Sequence, residues 1–353
     1  MTTSILRNSS SPAAPRLSVV VPCYNVGALA ADAVGSLLRQ TMAELEVIAV
    51  DDGSTDDSLA QLLRIDDSRL TCATQPNRGL AAARNAGIRL ARAPYVGFCD
   101  GDDLWHPEKA AKQIAVMESD PSIGLTFSYS AYLDEDGTPN GQLLVTHCLT
   151  PTTRDLLARN HVGNGSTAIV RRECFERAGL FDESLESCED IEMWVRLSVS
   201  TPTTLRCVPE PLTGYRVRRG SQMHTFEKYL AGSRLYLERF RSYVPGYGAR
   251  DARRTFAEHL RILSRKAFSD GQVELSRRLL RESLRQSPTL VVRDARAFAM
   301  ATLHLAAFVL PGSDPTRVYR LGRKVLGRAF ALLYGAQSVE PWSRVQTEPR
   351  ARS

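Results

Sequence analysis

Ala93-Pro-Tyr-Val-Gly-Phe-Cys99 runs directly into Asp100-Gly-Asp-Asp103, an apolar stretch followed by three carboxylates within four residues. Such a run reads as a strand buried in a parallel sheet, and the carboxyl end of such a strand is where open α/β sheets take ligands. Like charges crowded at one point repel unless something positive is at hand. A hard divalent cation held by one or two carboxylates, with a substrate diphosphate completing its shell, would supply that charge. The competing reading of the same residues is a solvated acidic turn capping the helix that Pro107 begins.

The flanking sequence repeats this design. Apolar, β-branched runs at 17–22, 45–50 and 70–74 predict further buried strands, and the spacing at 27–40, 80–91 and 107–117 predicts helices between them. Ser54-Thr-Asp-Asp57 offers N-caps to another helix ending at Leu63. This βαβα order implies a mostly parallel sheet covered on both faces. Downstream, 123–132 reads as a strand, and Asp134-Glu-Asp-Gly137 as a turn. Residues 166–170 read as a strand leading into a short helix at 171–178. Residues 191–199 have helical spacing with Glu189-Asp190 at the start, and 203–208 and 212–215 read as edge strands closing the sheet.

Beyond about residue 225 the pattern is helical, with helices expected at 226–241, 249–268, 273–285 and 295–310. The stretch 267–288 has the small-residue and leucine spacing of one tetratricopeptide-like helix pair, although a repeat is recognised by recurrence. Arg317, Arg320, Arg323, Lys324 and Arg328 decorate one further helix. The run at 297–310 is too short to span a bilayer. The Ser- and Pro-rich start lacks the apolar core of a secretory signal and is expected to be a flexible tail. The expected organisation is therefore a tail at 1–15, an α/β catalytic domain at 16–224, a helical region at 225–335 and a second tail at 336–353.

The net charge of +6 conceals an asymmetry. Residues 1–214 carry 18 Lys and Arg against 28 Asp and Glu, a net of −10, whereas 215–353 carry 27 against 11, a net of +16. A basic half of this kind can face nucleic acid, anionic lipid or a phosphorylated substrate. The seven cysteines are scattered and never spaced as paired metal ligands, which fits small apolar residues in a reducing cytosol.

A parallel sheet would bring four segments to one edge. Pro22-Cys-Tyr-Asn25 offers Tyr24 for stacking on a base and Asn25 for hydrogen bonding. Asp51-Asp52-Gly53 offers a carboxylate to a base or ribose, or a helix cap. Asn77-Arg-Gly79 with Ala83-Arg84-Asn-Ala-Gly87 places arginines and glycines near a helix start, which suits diphosphate oxygens. The Asp100 cluster is the fourth. A lone segment of this type is weak evidence; four in order at successive strand ends are hard to attribute to capping.

The series Ser18-Val-Val-Val-Pro-Cys-Tyr-Asn25, Val50-Asp-Asp-Gly-Ser-Thr-Asp56, Asn77 with Gly79 to Gly87, Asp100-Gly-Asp-Asp-Leu-Trp105 and Glu189-Asp190 resembles the family 2 glycosyltransferases of the GT-A fold over roughly residues 16–220. The resemblance implies a Rossmann-like mixed sheet flanked by helices, with an all-α C-terminal region about which the motifs are silent. It implies a nucleotide site formed by Pro22, Tyr24, Asn25, Asp52, Asn77, Arg84 and Asp100. Asp100 and Asp102 would bind Mg2+ or Mn2+, and Asp190 would be the general base of an inverting transfer. It further suggests Glu189, Trp105 and Asp103 as sugar or acceptor contacts, and Arg216 and His224 in a segment closing over the diphosphate.

The expected donor is a nucleotide-diphosphate sugar, and the expected acceptor a saccharide or lipid-linked molecule in cell-surface polysaccharide or glycoconjugate synthesis. Processive relatives carry Gln-x-x-Arg-Trp and membrane spans; neither is found here, which favours single-sugar addition. A sugar-nucleotide pyrophosphorylase would need a Gly-rich basic loop after the first strand, where this chain has Val21-Pro-Cys-Tyr-Asn25. A non-catalytic nucleotide-sugar-binding protein would not need Asp100, Asp102 and Asp190 together. The basic helices lack interleaved aromatics, which argues against nucleic acid. The expected location is cytoplasmic, with docking of the basic half on the inner face of the plasma membrane.

Overall fold

The computed structural model describes residues 3–8, 14–218, 226–269 and 271–288, and the chain divides into two compact units between Ser221 and Gln222. The first unit is built on a mixed sheet. Its centre is β2 (Leu17–Cys23), all seven residues of which are buried. On one side β2 pairs in parallel with β3 (Leu45–Asp51), then β4 (Leu70–Thr74); on the other it pairs in parallel with β5 (Tyr95–Phe98). Strands covered on both faces read as continuous apolar runs, which is why these four are visible in the sequence.

Past β5 the sheet continues through β9 (Ile169–Arg171), β7 (Ile123–Leu133), β10 (Thr204–Arg216) and the two-residue β6 (Leu104–Trp105), with β8 (Pro139–Leu144) also on β7. Here β9 is antiparallel to both neighbours, and β10 runs parallel to β7. The two strands expected at 203–208 and 212–215 are one strand, β10. Its register slips between Val208 and Pro211, where prolines cannot supply ladder N–H groups, and it lies between β7 and β6 rather than at the edge. Ser166 and Thr167 belong to a 3-10 turn (Gly165–Thr167), not to a strand. Within the expected N-terminal tail, β1 (Ser4–Arg7) pairs antiparallel with β4.

Helices α1 (Leu29–Leu38), α2 (Ser58–Leu63), α3 (Leu80–Leu90), α4 (Lys109–Ser119), α5 (Thr153–Ala158), α6 (Arg172–Ala178) and α7 (Glu189–Ser200) complete this unit. The short α5 is held by a reciprocal Thr152–Asp155 capping box. The seven cysteines are all free.

The second unit contains α8 (Phe226–Tyr243), α9 (Ala249–Ser269) and α10 (Val273–Gln286). The last two form an antiparallel pair at a seam of small residues. Ser264 Oγ donates to the Ser276 carbonyl at 2.9 Å, and Ser283 Oγ to the Ala257 carbonyl at 2.6 Å. Tyr236 of α8 meets buried His259 of α9 at 2.8 Å. The helices expected at 295–310 and around 317–330, and the tail at 336–353, lie outside the described residues. Among the described residues no helix is long and apolar enough to cross a membrane.

α3 lies close on β2 because Gly87 has no side chain: a Cβ there would stand 2.2 Å from Val20 Cγ1. Gly87→Ala is therefore expected to destabilise the first unit by about 1–3 kcal/mol through overpacking, read as a lower urea midpoint at unchanged slope. An unchanged midpoint would mean that the helix slides off the strand freely.

Candidate active site

The strand order reverses at β2, between β3 and β5, so the carboxyl ends of these three strands open onto one crevice. The loops leaving them stay paired for another residue or two. Asp52 N–H donates to Cys23 O at 2.8 Å, Cys99 N–H to Val20 O at 3.0 Å and Gly101 N–H to Pro22 O at 3.1 Å. Gly101 permits this crossing, since a Cβ would lie 2.9 Å from Cys23 Sγ and 3.0 Å from Pro22 O. Pro22, Tyr24, Asp52 and Asp100 are thereby gathered at one edge.

Of the residues expected at the nucleotide, Tyr24 is 48% exposed and offers a free ring face. Asn25 is left-handed (φ 50°), and its Oδ1 accepts the Thr55 N–H at 2.8 Å while its own N–H donates to Ser54 Oγ at 3.1 Å. Its side chain thus ties two loops together. Asp52 is buried and accepts from Gln75 Nε2 at 2.7 Å, Arg78 N–H at 3.0 Å and Gly79 N–H at 2.8 Å. It shapes the loop carrying exposed Asn77. Gly53 (φ 73°) lets that loop approach: a Cβ there would be 2.8 Å from Asn77 N.

Arg84 is the hub. It is 1% exposed, and its Nη2 pairs with Asp100 at 2.7 Å and its Nη1 with Glu189 at 2.6 Å. Burial alone would favour the neutral form. The charges of Asp100, Glu189 and Asp190 outweigh it and hold the guanidinium pKa above its ordinary value. Gly165 completes the enclosure, because a Cβ there would fall 2.5 Å from Arg84 Nη2.

The three clustered aspartates have different positions. Asp100 and Asp102 keep partly exposed side chains, and Asp102 meets Arg218 Nη1 at 3.2 Å. Burial, then the charge of Asp100, push Asp102 above the usual carboxylate range, with Arg218 opposing. Asp103, expected among sugar or acceptor contacts, is instead 1% exposed and turned inward. Its carboxylate accepts Ser166 Oγ–H at 2.6 Å and Arg216 N–H at 3.0 Å.

Trp105 is likewise in the core, donating to Ser166 O at 3.0 Å, with Lys109 Nζ 4.7 Å from its ring centroid. Arg216, expected in a closing segment, is buried. It donates to Asp102 O and Glu135 O, both at 2.8 Å, so it braces the acidic turn. His224 lies outside the described residues. Ser166 supports the acidic turn from behind: it accepts Asp100 N–H at 2.9 Å while donating to Asp103. A lone serine in a turn carries no signal for this role.

Glu189 and Asp190 open α7. Glu189, expected to orient an acceptor, is buried against Arg84 and acts inside the protein. Asp190 is partly exposed and accepts Ile191 N–H at 2.7 Å. Burial, then the neighbouring Glu189 charge, push its carboxyl up to about 7, with Arg84 pulling the other way. It is poised to exchange a proton near neutral pH.

Among the described residues no cluster of three or more His, Cys, Asp or Glu could hold a metal unaided. Asp100 and Asp102 nevertheless fit a cation completed by a ligand's phosphates: they are hard oxygen donors, adjacent, partly exposed and mutually repulsive.

The Glycosyl transferase family 2 model matches residues 18–179, ending before α7. EpsJ of Bacillus subtilis (strain 168), an uncharacterized glycosyltransferase, is 36% identical over 188 residues, 50% of this chain and 54% of EpsJ. The chain therefore spans about half the length of that relative. TuaG of the same organism, to which a glycosyltransferase role in teichuronic acid biosynthesis is ascribed, is 31% identical over 186 residues, 52% of this chain and 72% of TuaG. The crystal structure of S. aureus TarS 1–349 in complex with UDP-GlcNAc shares the fold, with a TM-score of 0.57 at 20% identity over 89% of this chain and 92% of that one.

Arg84→Leu would leave Asp100 and Glu189 without their common partner, and is expected to cost about 3–5 kcal/mol in equilibrium unfolding. A loss under about 1 kcal/mol, the range of an exposed pair, would show that the carboxylates do not depend on it.

Proposed function

Because this chain belongs to glycosyl transferase family 2 and has a GT-A-type sheet, we propose that it is an inverting transferase. It moves one sugar from a nucleotide-diphosphate donor to a saccharide or lipid-linked acceptor in polysaccharide or glycoconjugate synthesis. The observation that carries this reading is the pair of carboxylate stations on either side of Arg84: Asp100 with Asp102 at the strand end, and Asp190, pushed up to about 7, at the start of α7.

The Tyr24 ring stacks on the donor base, while Asp52 and the Asn77 loop bind the base and ribose edge. Asp100 and Asp102 would hold Mg2+ or Mn2+, which when bound supplies positive charge to the diphosphate as it leaves. Asp190 accepts the proton of the attacking hydroxyl on the opposite face of the sugar. Arg84 keeps the two stations apart and opposes the rise of the Asp190 pKa, favouring its charged form. The lack of a Gln-x-x-Arg-Trp motif in the sequence supports addition of a single sugar.

The basic C-terminal half is proposed to rest on anionic lipid. The full chain is expected to co-sediment with phosphatidylglycerol vesicles at low salt and not with neutral ones; equal recovery from both would sink the idea.

A panel of UDP-, GDP- and dTDP-sugars, assayed for Mn2+-dependent hydrolysis and binding, identifies the donor. With it, Asp190→Asn is expected to lower kcat by about 10²–10⁴ while leaving donor affinity nearly intact. Wild-type activity should rise with pH through about 7 as Asp190 loses its proton. Glu189→Gln removes a like charge, so it should shift that limb to lower pH. A limb that stays put, or transfer that survives Asp190→Asn, would overturn the base assignment.

A further inference from the structure

Asp190 is delivered to the site by residues 179–188, the segment between α6 and α7, which carries no secondary structure of its own. Its middle is mostly exposed; hydrogen bonds there include local ones, Leu185 N–H to Asp182 O at 3.1 Å and Ser184 to Asp182 Oδ1, while the Glu183 side chain reaches Arg78 and Asn85. It enters α7 through Cys188, a non-glycine residue in the left-handed region (φ 65°), and no side chain caps the helix. A strained entry without a cap persists only where the surroundings over-determine it. The direction of the first turn of α7, and with it the Asp190 carboxyl, must therefore be set by what grips the segment.

Two consecutive residues of α3 grip it, beside Arg78, which pairs with Glu183, and Arg196 of α7, which donates to Leu180 O at 2.8 Å. Arg84 holds Glu189 at the far end. Asn85, 2% exposed, holds the near end: its Oδ1 accepts Phe181 N–H at 2.9 Å, and its Nδ2 donates to Phe181 O at 2.9 Å and to Glu183 Oε1 at 3.0 Å. One amide side chain satisfies both main-chain groups of Phe181, as a neighbouring strand would, and no other side-chain type offers donor and acceptor in that fork except glutamine, which is longer. The Phe181 ring then packs edge-on against Phe98 (5.4 Å between centroids) and Trp194 of α7 (6.1 Å), with the Arg84 guanidinium 5.5 Å away. A shift at Phe181 is felt by both the helix that carries Asp190 and the cation beside it.

We propose that Asn85 is a positioning residue for the proton-accepting carboxylate: by clamping the Phe181 main chain to α3 it fixes where α7 begins. This rests on the assignment of Asp190 as the base. Asn85 touches neither donor nor acceptor, so it should act on turnover and not on donor binding. A displacement of about 1 Å in a reacting group can cost on the order of 10² in rate.

The test uses the full chain with the sugar nucleotide selected by the panel, Mn2+, and calorimetric binding of the matching nucleoside diphosphate. Asn85→Asp keeps the shape and the acceptor for Phe181 N–H, but sets a carboxylate against Phe181 O and Glu183. It is expected to lower kcat by about 10- to 100-fold with donor affinity within about twofold. In the Asp190→Asn background the same change should cost less than about twofold, because a residue acting through the base has nothing left to position.

Equal losses in donor affinity and kcat, or the same loss with and without Asp190, would overturn the proposal as a general effect on the fold. If Asn85→Asp does not fold, Asn85→Gln, which keeps the donor and the acceptor on a side chain one carbon longer, decides by the same split at about 3- to 10-fold. Full turnover by Asp190→Asn alone is a separate outcome. It would remove the base assignment, and with it this role for Asn85.

Discussion

A buried guanidinium shared between two carboxylates is the constraint around which the first unit is arranged. Arg84 is almost wholly removed from water, yet it stays charged because Asp100 and Glu189 each take one arm of its fork. An isolated charge in that position would be very costly. The pairing therefore binds three distant parts of the chain to one another: the helix after β4, the turn after β5 and the start of α7. Loss of any one leaves a buried charge on the others.

The surrounding residues serve that arrangement. Gly165 gives way to the guanidinium, Gly87 brings α3 close enough to β2 for Arg84 to reach the strand ends, and Phe181 lies beside it. The acidic turn is braced from behind by Ser166 and Arg216, which occupy Asp103 and the backbone of Asp102. Asp100 and Asp102 are left facing the crevice. Neighbouring acids thus divide into one that stabilises the turn and two that are open to a ligand, with Glu189, the residue before Asp190, on the other arm of the Arg84 fork.

How far this could be read beforehand depended on local pattern. The strands β2, β3, β4 and β5 are buried on both faces and announce themselves as apolar runs, and their order placed four polar segments at one edge. The short strands β1, β6 and β8 have no such signature, because an edge pair needs few apolar residues. β10 looked like two strands because Pro209 and Pro211 interrupt its alternation, although the ladder continues across the slip. At the site, Asp100 and Asp102 were legible as a pair at a strand end, but Asp103 was not separable from them. Its inward turn is caused by Ser166 and Arg216, 63 and 113 residues away.

The amino-acid sequence by itself determined the alternation of strands and helices, the acids at the strand ends, and the kind of chemistry those acids permit, since each is a property of residue type and near-neighbour spacing. Only the tertiary structure decided which polar groups face the crevice and which are consumed in holding it. Asn25, Asp52, Asp103, Glu189 and Arg216 each spend hydrogen bonds or ion pairs on the protein itself. Those partners come from elements remote in sequence, brought within about 3 Å by the sheet, and a side chain's availability to a ligand is what remains after such partners are satisfied.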